Sequence, residues 1–200
     1  LDTAKTFVPD VYPQYSRRWR EILGKIRSVF FGKIIIQLYY VPELYSILYE
    51  RLDFFDAVDG IEICLVNDHF TSWSKFITDK DNPTIDEIIE TIKEFLIRPK
   101  ELFADKVPVY YVLTVVSGDG QRHSENVQEK ANIKTDFNEQ ALYYEAFFKV
   151  VSEEPWIKGV FSERWDWFDQ YQRVEGSFYD QTKETSPRSK PAEDVIKLWF

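Results

Sequence analysis

Residues 107–116 read VPVYYVLTVV, ten residues that are all apolar or aromatic except Thr114. So short and apolar a run, without polar alternation, is typical of a strand buried on both faces of a parallel sheet. Two similar runs precede it, at residues 33–40 (KIIIQLYY) and 58–66 (VDGIEICLV), and a fourth begins at residues 157–161 (IKGVF). The four runs predict four parallel strands.

Amphipathic helices are predicted around these strands, because apolar residues recur at helical spacing on either side of them. One predicted helix ends at Gly32, and another begins with a capping box formed by Thr84 and Glu87. The predicted caps or first residues of the five helices are Ser16, Pro42, Thr84, Asn138 and Pro191. Strands that alternate with helices predict an α/β fold with a helix-covered parallel sheet.

The connections that follow the strands are much longer than those that precede them. Residues 67–83, 117–137 and 162–190 are long loops, and loops of this length are unusual unless they have a function. In (β/α)8 barrels the functional face is the one after the strands. A nucleotide-binding sheet is disfavoured, because Gly118-Asp119-Gly120 lacks the spacing of a phosphate-binding loop.

The chain has 200 residues, and a complete barrel needs about 250. Leu1 is not preceded by a Met, so we expect the first half of such a barrel to precede residue 1. No composition shift divides the chain, and residues 1–200 are predicted to be a single domain.

The net charge of −9 argues against a nucleic-acid partner, which needs clustered basic residues. No apolar run reaches the roughly 18 residues of a membrane span. The single cysteine, Cys64, lies in an apolar run and is expected to be a buried, inert thiol. It does not decide the compartment, although an extracytoplasmic location is favoured over a cytoplasmic one. No cofactor is expected.

Two segments near the end of the chain carry a family resemblance: EPWIKGVFSERWDW and SPRSKPAEDVIKLWF. They resemble the last strand, loop and helix of glycoside hydrolase family 113, a β-mannanase family of retaining (β/α)8 glycosidases. The matching positions are Gly159, Phe161, Trp165, Asp166, Ser186, Pro187, Arg188, Lys190, Pro191, Ala192 and Glu193. Weaker likenesses occur at residues 17–33, 54–63 and 141–151, in the family's order.

The resemblance implies that the four strands are the fifth to eighth of a glycosidase-type barrel. The general acid that follows strand four would then precede Leu1. The family's nucleophile, a Glu near the end of strand seven, falls on Val112, Leu113 or Thr114. No acidic residue occurs between Asp105 and Asp119, so this catalytic position is expected to be degenerate.

Other departures cluster at the same site. A tyrosine that the family has near strand six falls at Val66, and a tryptophan near strand eight falls at Glu163. Glu163 is the best candidate for a relocated catalytic carboxylate, and its structural alternative is an ion pair with an arginine such as Arg164. The residues expected to bind substrate are Trp165, Asp166, Tyr40 and Asn67.

No metal site is predicted. His69 and His123 are the only histidines, they lack metal-ligand spacing, and Asp119 between two glycines is expected to be a turn residue.

Three functional hypotheses follow. The first is a non-catalytic glycosidase-like barrel that acts as a carbohydrate-binding or structural module within an assembly. The second is an active retaining hydrolase of β-linked glycans with a rearranged carboxylate pair. The third is a half-barrel that pairs with an N-terminal half-barrel or another protein chain. In the first two, an oligosaccharide or polysaccharide is the expected ligand.

Overall fold

The computed structural model describes residues 15–39, 49, 53–65, 82–121, 132–165 and 185–200. Strands and helices alternate along these ranges. In chain order they are α1 (Tyr15–Arg27), β1 (Ile35–Tyr39), β2 (Gly60–Leu65), α2 (Ile85–Phe103), β3 (Val109–Leu113), α3 (Phe137–Ser152), β4 (Ile157–Ser162) and α4 (Pro191–Trp199). The predicted helix after Pro42 lies outside the described residues.

The four strands form one parallel sheet in the order β1-β2-β3-β4, which confirms the predicted α/β class. Gln37 pairs with Glu62, Glu62 with Tyr110, and Tyr110 with Gly159, so these four residues lie side by side across the sheet. Since every connection joins neighbouring strands, the sheet has the sequential order that a (β/α)8 barrel uses.

One face of the sheet is packed against helices. Ile61 and Ile63 of β2 and Val109, Tyr111 and Leu113 of β3 alternate along their strands and are 0% exposed. The ring of Tyr111 makes edge contacts with three aromatic side chains of this core, those of Phe95, Phe147 and Trp156. Burial of large apolar side chains stabilises the fold by about 1.5–3 kcal/mol each. Because side chains alternate along a strand, the remaining residues of β2 and β3 point to the opposite face of the sheet.

Helix termini agree in part with the prediction. The capping box of Thr84 and Glu87 is present, and α4 begins at Pro191 as expected. The prediction that Asn138 caps α3 was wrong. The cap is Asp136, whose carboxylate accepts a hydrogen bond of 2.9 Å from the backbone N–H of Glu139.

The first helix ends five residues earlier than Gly32, at Arg27. The guanidinium of Arg27 explains this end, because it donates a 2.7 Å hydrogen bond to the carbonyl of Gly32 and also pairs with Asp59. These contacts turn the chain back toward β1, so the apolar periodicity that continued past Arg27 does not extend the helix.

Apolar side chains are exposed just before β1 and at the end of α4. Val29 and Phe31, just before β1, are 79% and 93% exposed, and Leu198 and Phe200, at the end of α4, are each 83% exposed. Isolated exposed apolar residues are ordinary on protein surfaces. None of the helices in the described ranges combines the length and hydropathy needed to cross a membrane.

Candidate functional site

The three positions predicted for the missing nucleophile point in different directions. Leu113 is 0% exposed and belongs to the core beneath the helices. Val112 and Thr114 alternate with it and face the opposite side of the sheet, although each is nearly buried, at 6% and 4% exposure. Thr114 follows the last residue of β3 and is the position at the carboxyl end of the sheet, where the chemistry of barrel enzymes is located.

Thr114 contacts the one acidic residue predicted to be catalytic. Its hydroxyl Oγ1 donates a 2.8 Å hydrogen bond to Oε2 of Glu163. The backbone N–H of Glu163 donates to the carbonyl of Leu113 at 3.3 Å, which continues the pairing of β3 with β4 by one residue. Glu163 itself is exposed. Thr114 is thus a hydrogen-bond donor to this carboxylate, and the alternative in which Glu163 forms an ion pair with an arginine such as Arg164 remains a prediction.

A second carboxylate, that of Glu62, lies on the same face of the sheet, farther from the carboxyl ends of the strands. Glu62 is half-buried in β2, and its Oε1 accepts a 2.9 Å hydrogen bond from Nε2 of Gln37 in β1. Among the strand residues that the structure describes on this face, Glu62 is the charged one, and Glu163 directly follows β4. Glu62 alternates with Ile61 and Ile63 along β2, and this alternation places its side chain on the inner face.

Two ionisable groups near these carboxylates are held neutral. Burial, with the added negative charges of Glu163 and Glu62, raises the pKa of the Cys64 thiol to about 11. Burial also raises the pKa of Tyr144 to about 12, despite a 3.2 Å hydrogen bond with Oγ of Ser162, and the charge of Glu163 adds to the effect. Cys64 is therefore a poor nucleophile, as predicted, since thiolates are the reactive form.

The predicted substrate-binding residues are only partly described. Trp165 follows β4 and is 46% exposed, so part of its side chain is accessible to a ligand. Asp166, Tyr40 and Asn67 lie outside the described residues, as do His69 and His123. The grouping of Trp165 with these side chains remains a prediction.

A separate acidic cluster joins the loop after β3 to the start of α3. Carboxylate oxygens of Asp119, Asp136 and Glu139 lie within 4.8 Å of one another. Such oxygens suit Ca²⁺ or Mg²⁺. Two of them already accept backbone hydrogen bonds, from Glu139 N at 2.9 Å and from Gly120 N at 2.8 Å. Asp119–Gln121 form one short 3-10 segment in which Gly120 has a positive φ of 66°, and the backbone hydrogen bonds give the cluster a structural explanation.

The family whose profile matches is described as Glycoside Hydrolase Family 113, and the match spans residues 12–183. No curated protein matches the sequence.

Solved structures show the same fold. The GH113 β-mannanase AaManA from Alicyclobacillus acidocaldarius, in complex with ManMIm, is 24% identical with a TM-score of 0.57, over 95% of this chain and 51% of that chain. Another GH113 β-1,4-mannanase is 19% identical with a TM-score of 0.54, over 93% of this chain and 51% of that chain. The β-glucuronidase from Ruminococcus gnavus is 14% identical with a TM-score of 0.53, over 92% of this chain and 29% of that chain. The chain thus spans about half the length of the mannanases.

Proposed function

Because the chain belongs to glycoside hydrolase family 113, we propose that it is the C-terminal half of a (β/α)8 barrel that binds a β-linked oligosaccharide without hydrolysing it. The observation that carries the proposal is Thr114, a nearly buried threonine at the carboxyl end of β3 and one of the three positions, with Val112 and Leu113, on which the glutamate of the family could fall. Retaining glycosidases need two carboxyl groups about 5 Å apart, and one of them must attack the anomeric carbon.

Thr114 is a poor substitute for that carboxylate. An alcohol is a weak nucleophile unless an adjacent base removes its proton. Even with Glu163 as the base, the product of attack is a threonyl glycoside, an ordinary acetal as stable as the substrate. Such an intermediate would not turn over, so the chemistry of this position favours binding.

The exposed ring of Trp165 and the exposed carboxylate of Glu163 support binding at the carboxyl end of β4. An aromatic ring offers a flat apolar face to the C–H groups of a sugar, and a carboxylate accepts hydrogen bonds from its hydroxyls. The ligand proposed is a mannan-type oligosaccharide, because mannanases share the family and the fold.

The test combines binding with hydrolysis on the full-length protein. Calorimetry should detect mannotetraose binding, and chromatography should detect no products above the buffer rate. Hydrolysis that Glu163→Gln abolishes would overturn the non-catalytic part. The matched control is Glu101→Gln, since Glu101 is an exposed carboxylate paired with Arg98 on α2, away from the strand ends.

The second candidate function is a retaining hydrolase in which Glu163 is the relocated nucleophile. It is favoured by one observation, that Glu163 is an exposed carboxylate with a fixed donor at 2.8 Å. A 2-fluoro-mannoside that traps the glycosyl-enzyme should then label Glu163, as mass spectrometry of peptides would detect. An unlabelled Glu163 in protein that binds mannotetraose would eliminate this candidate.

We also propose that a further half-barrel closes the sheet. The proposal is supported by the exposed side chains of Val29 and Phe31 just before β1, and of Leu198 and Phe200 at the end of α4. Light scattering on the 200-residue chain produced alone is expected to show association. A soluble monomer with these faces open would contradict the proposal.

A further inference from the structure

Thr114 and Glu163 form one rigid unit. Thr114 is 4% exposed, so its hydroxyl has little freedom to turn away, and it donates to Oε2 of Glu163 at 2.8 Å. The backbone of Glu163 is fixed by its hydrogen bond to Leu113. A long, exposed glutamate side chain is ordinarily free to sample several rotamers, and this contact restricts it before any ligand arrives.

The restrained carboxylate of Glu163 favours ligand groups that donate hydrogen bonds. An ionised carboxylate only accepts hydrogen bonds, and its bonds to donors are stronger than those between neutral groups. Thr114 occupies part of the acceptor capacity of one oxygen, and the other sites stay available for donors. A sugar hydroxyl meets this requirement, whereas a second carboxylate presents no donor and repels the first.

The charge of the surrounding face reinforces the selection. Glu62 lies on the same face, and its negative charge and that of Glu163 both act on Cys64. The two carboxylates therefore contribute negative potential to one region of the inner face. Charge of one sign in a partly enclosed site disfavours ligands of that sign.

We infer that the Thr114–Glu163 unit is a specificity element that accepts sugar hydroxyls and rejects uronic acids. This inference rests on the proposed function, because it assumes that the mouth of the barrel binds a glycan. It assigns Thr114 as a positioning residue that acts through Glu163, and Glu163 as the residue that contacts the ligand.

The experiment compares two ligands that differ mainly at C6: mannotetraose and the β-1,4-linked tetramer of mannuronic acid. Calorimetry at low ionic strength on the full-length protein is expected to show at least tenfold tighter binding of mannotetraose. Glu163→Gln should weaken mannotetraose binding several-fold and lower the ratio between the two ligands, with Glu62 accounting for any preference that remains. Glu101→Gln should leave both affinities unchanged.

Thr114→Val keeps the shape of the side chain but removes the donor, and it is expected to weaken mannotetraose binding three- to tenfold. Thr114→Ser restores the donor and should recover most of that loss, which a purely structural role of the threonine methyl would not produce. The thermal midpoint of each variant identifies any that fail to fold.

The outcomes separate the two proposals. Wild-type protein that binds neither tetramer overturns the proposed function, and the inference with it. Wild-type protein that binds both equally overturns only the inference, as does a ligand ratio unchanged by Glu163→Gln. If Thr114→Val folds and binds mannotetraose with wild-type affinity, the positioning role of Thr114 is wrong.

Discussion

The ammonium group of Lys190 donates a hydrogen bond of 3.0 Å to Oγ of Ser117, and both residues are almost completely buried. Ser117 lies just after β3, and Lys190 is the residue before α4. The side chain of Lys190 also lies over the ring of Phe137, with Nζ 5.7 Å from its centroid. The SPRSKPAE segment is therefore anchored to the loop that follows β3.

Replacement of Ser117 by Ala should destabilise the fold, because the buried ammonium of Lys190 loses an acceptor. Hydrogen bonds to charged groups contribute about 1.5–3 kcal/mol, and we expect the free energy of unfolding to fall by about that amount. Urea denaturation measures it. Ser152→Ala is the control, since Oγ of Ser152 makes an exposed local bond to Lys149, and equal effects of the two variants would contradict the anchoring role.

Gly60 leaves space for the aromatic ring of Tyr110. A Cβ at Gly60 would lie 2.8 Å from Cε2 of Tyr110 and 3.1 Å from the carbonyl of Pro108. We expect Gly60→Ala to lower the free energy of unfolding by about 1–3 kcal/mol, as overpacking does. Gly159→Ala should cost less, because its Cβ would be 3.2 Å from the same ring.

The Tyr110→Leu background tests this explanation. Without the ring, Gly60→Ala should lose most of its effect, and the difference is measured as the coupling in a double-mutant cycle. An undiminished cost of Gly60→Ala would show that the ring of Tyr110 is not what requires glycine.

Alkaline pH should weaken the fold through Tyr144. Its pKa is raised from 10 to about 12 in the folded protein, so the unfolded chain loses this proton first. The stabilising contribution is fully present below pH 10 and is lost as pH rises toward 12, to a total of about 3 kcal/mol.

Tyr144→Phe removes that titration but also the hydrogen bond to Ser162. It should lower stability at pH 7 by about 1 kcal/mol and flatten the decline between pH 10 and 11. Urea unfolding at several pH values measures both effects, and parallel wild-type and Tyr144→Phe profiles would refute the assignment.

Alkylation of Cys64 should report the charge of Glu163. With a pKa of about 11, the thiol stays protonated at neutral pH, and iodoacetamide should react slowly with the native protein. Glu163→Gln removes one of the charges that raise this pKa, so the rate at pH 9 should increase a few-fold. Glu153→Gln, at the far end of α3, should leave the rate unchanged. If Glu163→Gln and Glu153→Gln changed the alkylation rate equally, the charge of Glu163 would not be the cause.

Much of the scaffold could be predicted from local patterns. The run VPVYYVLTVV predicted a buried parallel strand, and the Thr84–Glu87 capping box predicted the start of α2. Helix ends were less predictable. Asp136 and Asn138 are both good N-cap residues, and only the hydrogen bond from Glu139 N distinguishes them. The end of α1 depends on contacts of Arg27 with Gly32 and Asp59, which are distant in sequence or lie beyond the helix.

The sequence by itself determined the alternation of strands and helices, the absence of acidic residues between Asp105 and Asp119, and the likeness to family 113, because each of these is a property of neighbouring residues. The tertiary structure decided which residues of β3 face inward, and it brought Thr114 to within hydrogen-bonding distance of Glu163, 49 positions away. The physical reason is that strand pairing fixes which residues lie side by side. The register between β3 and β4, with its irregularity at Val109 and Tyr110, is set by packing across the whole sheet.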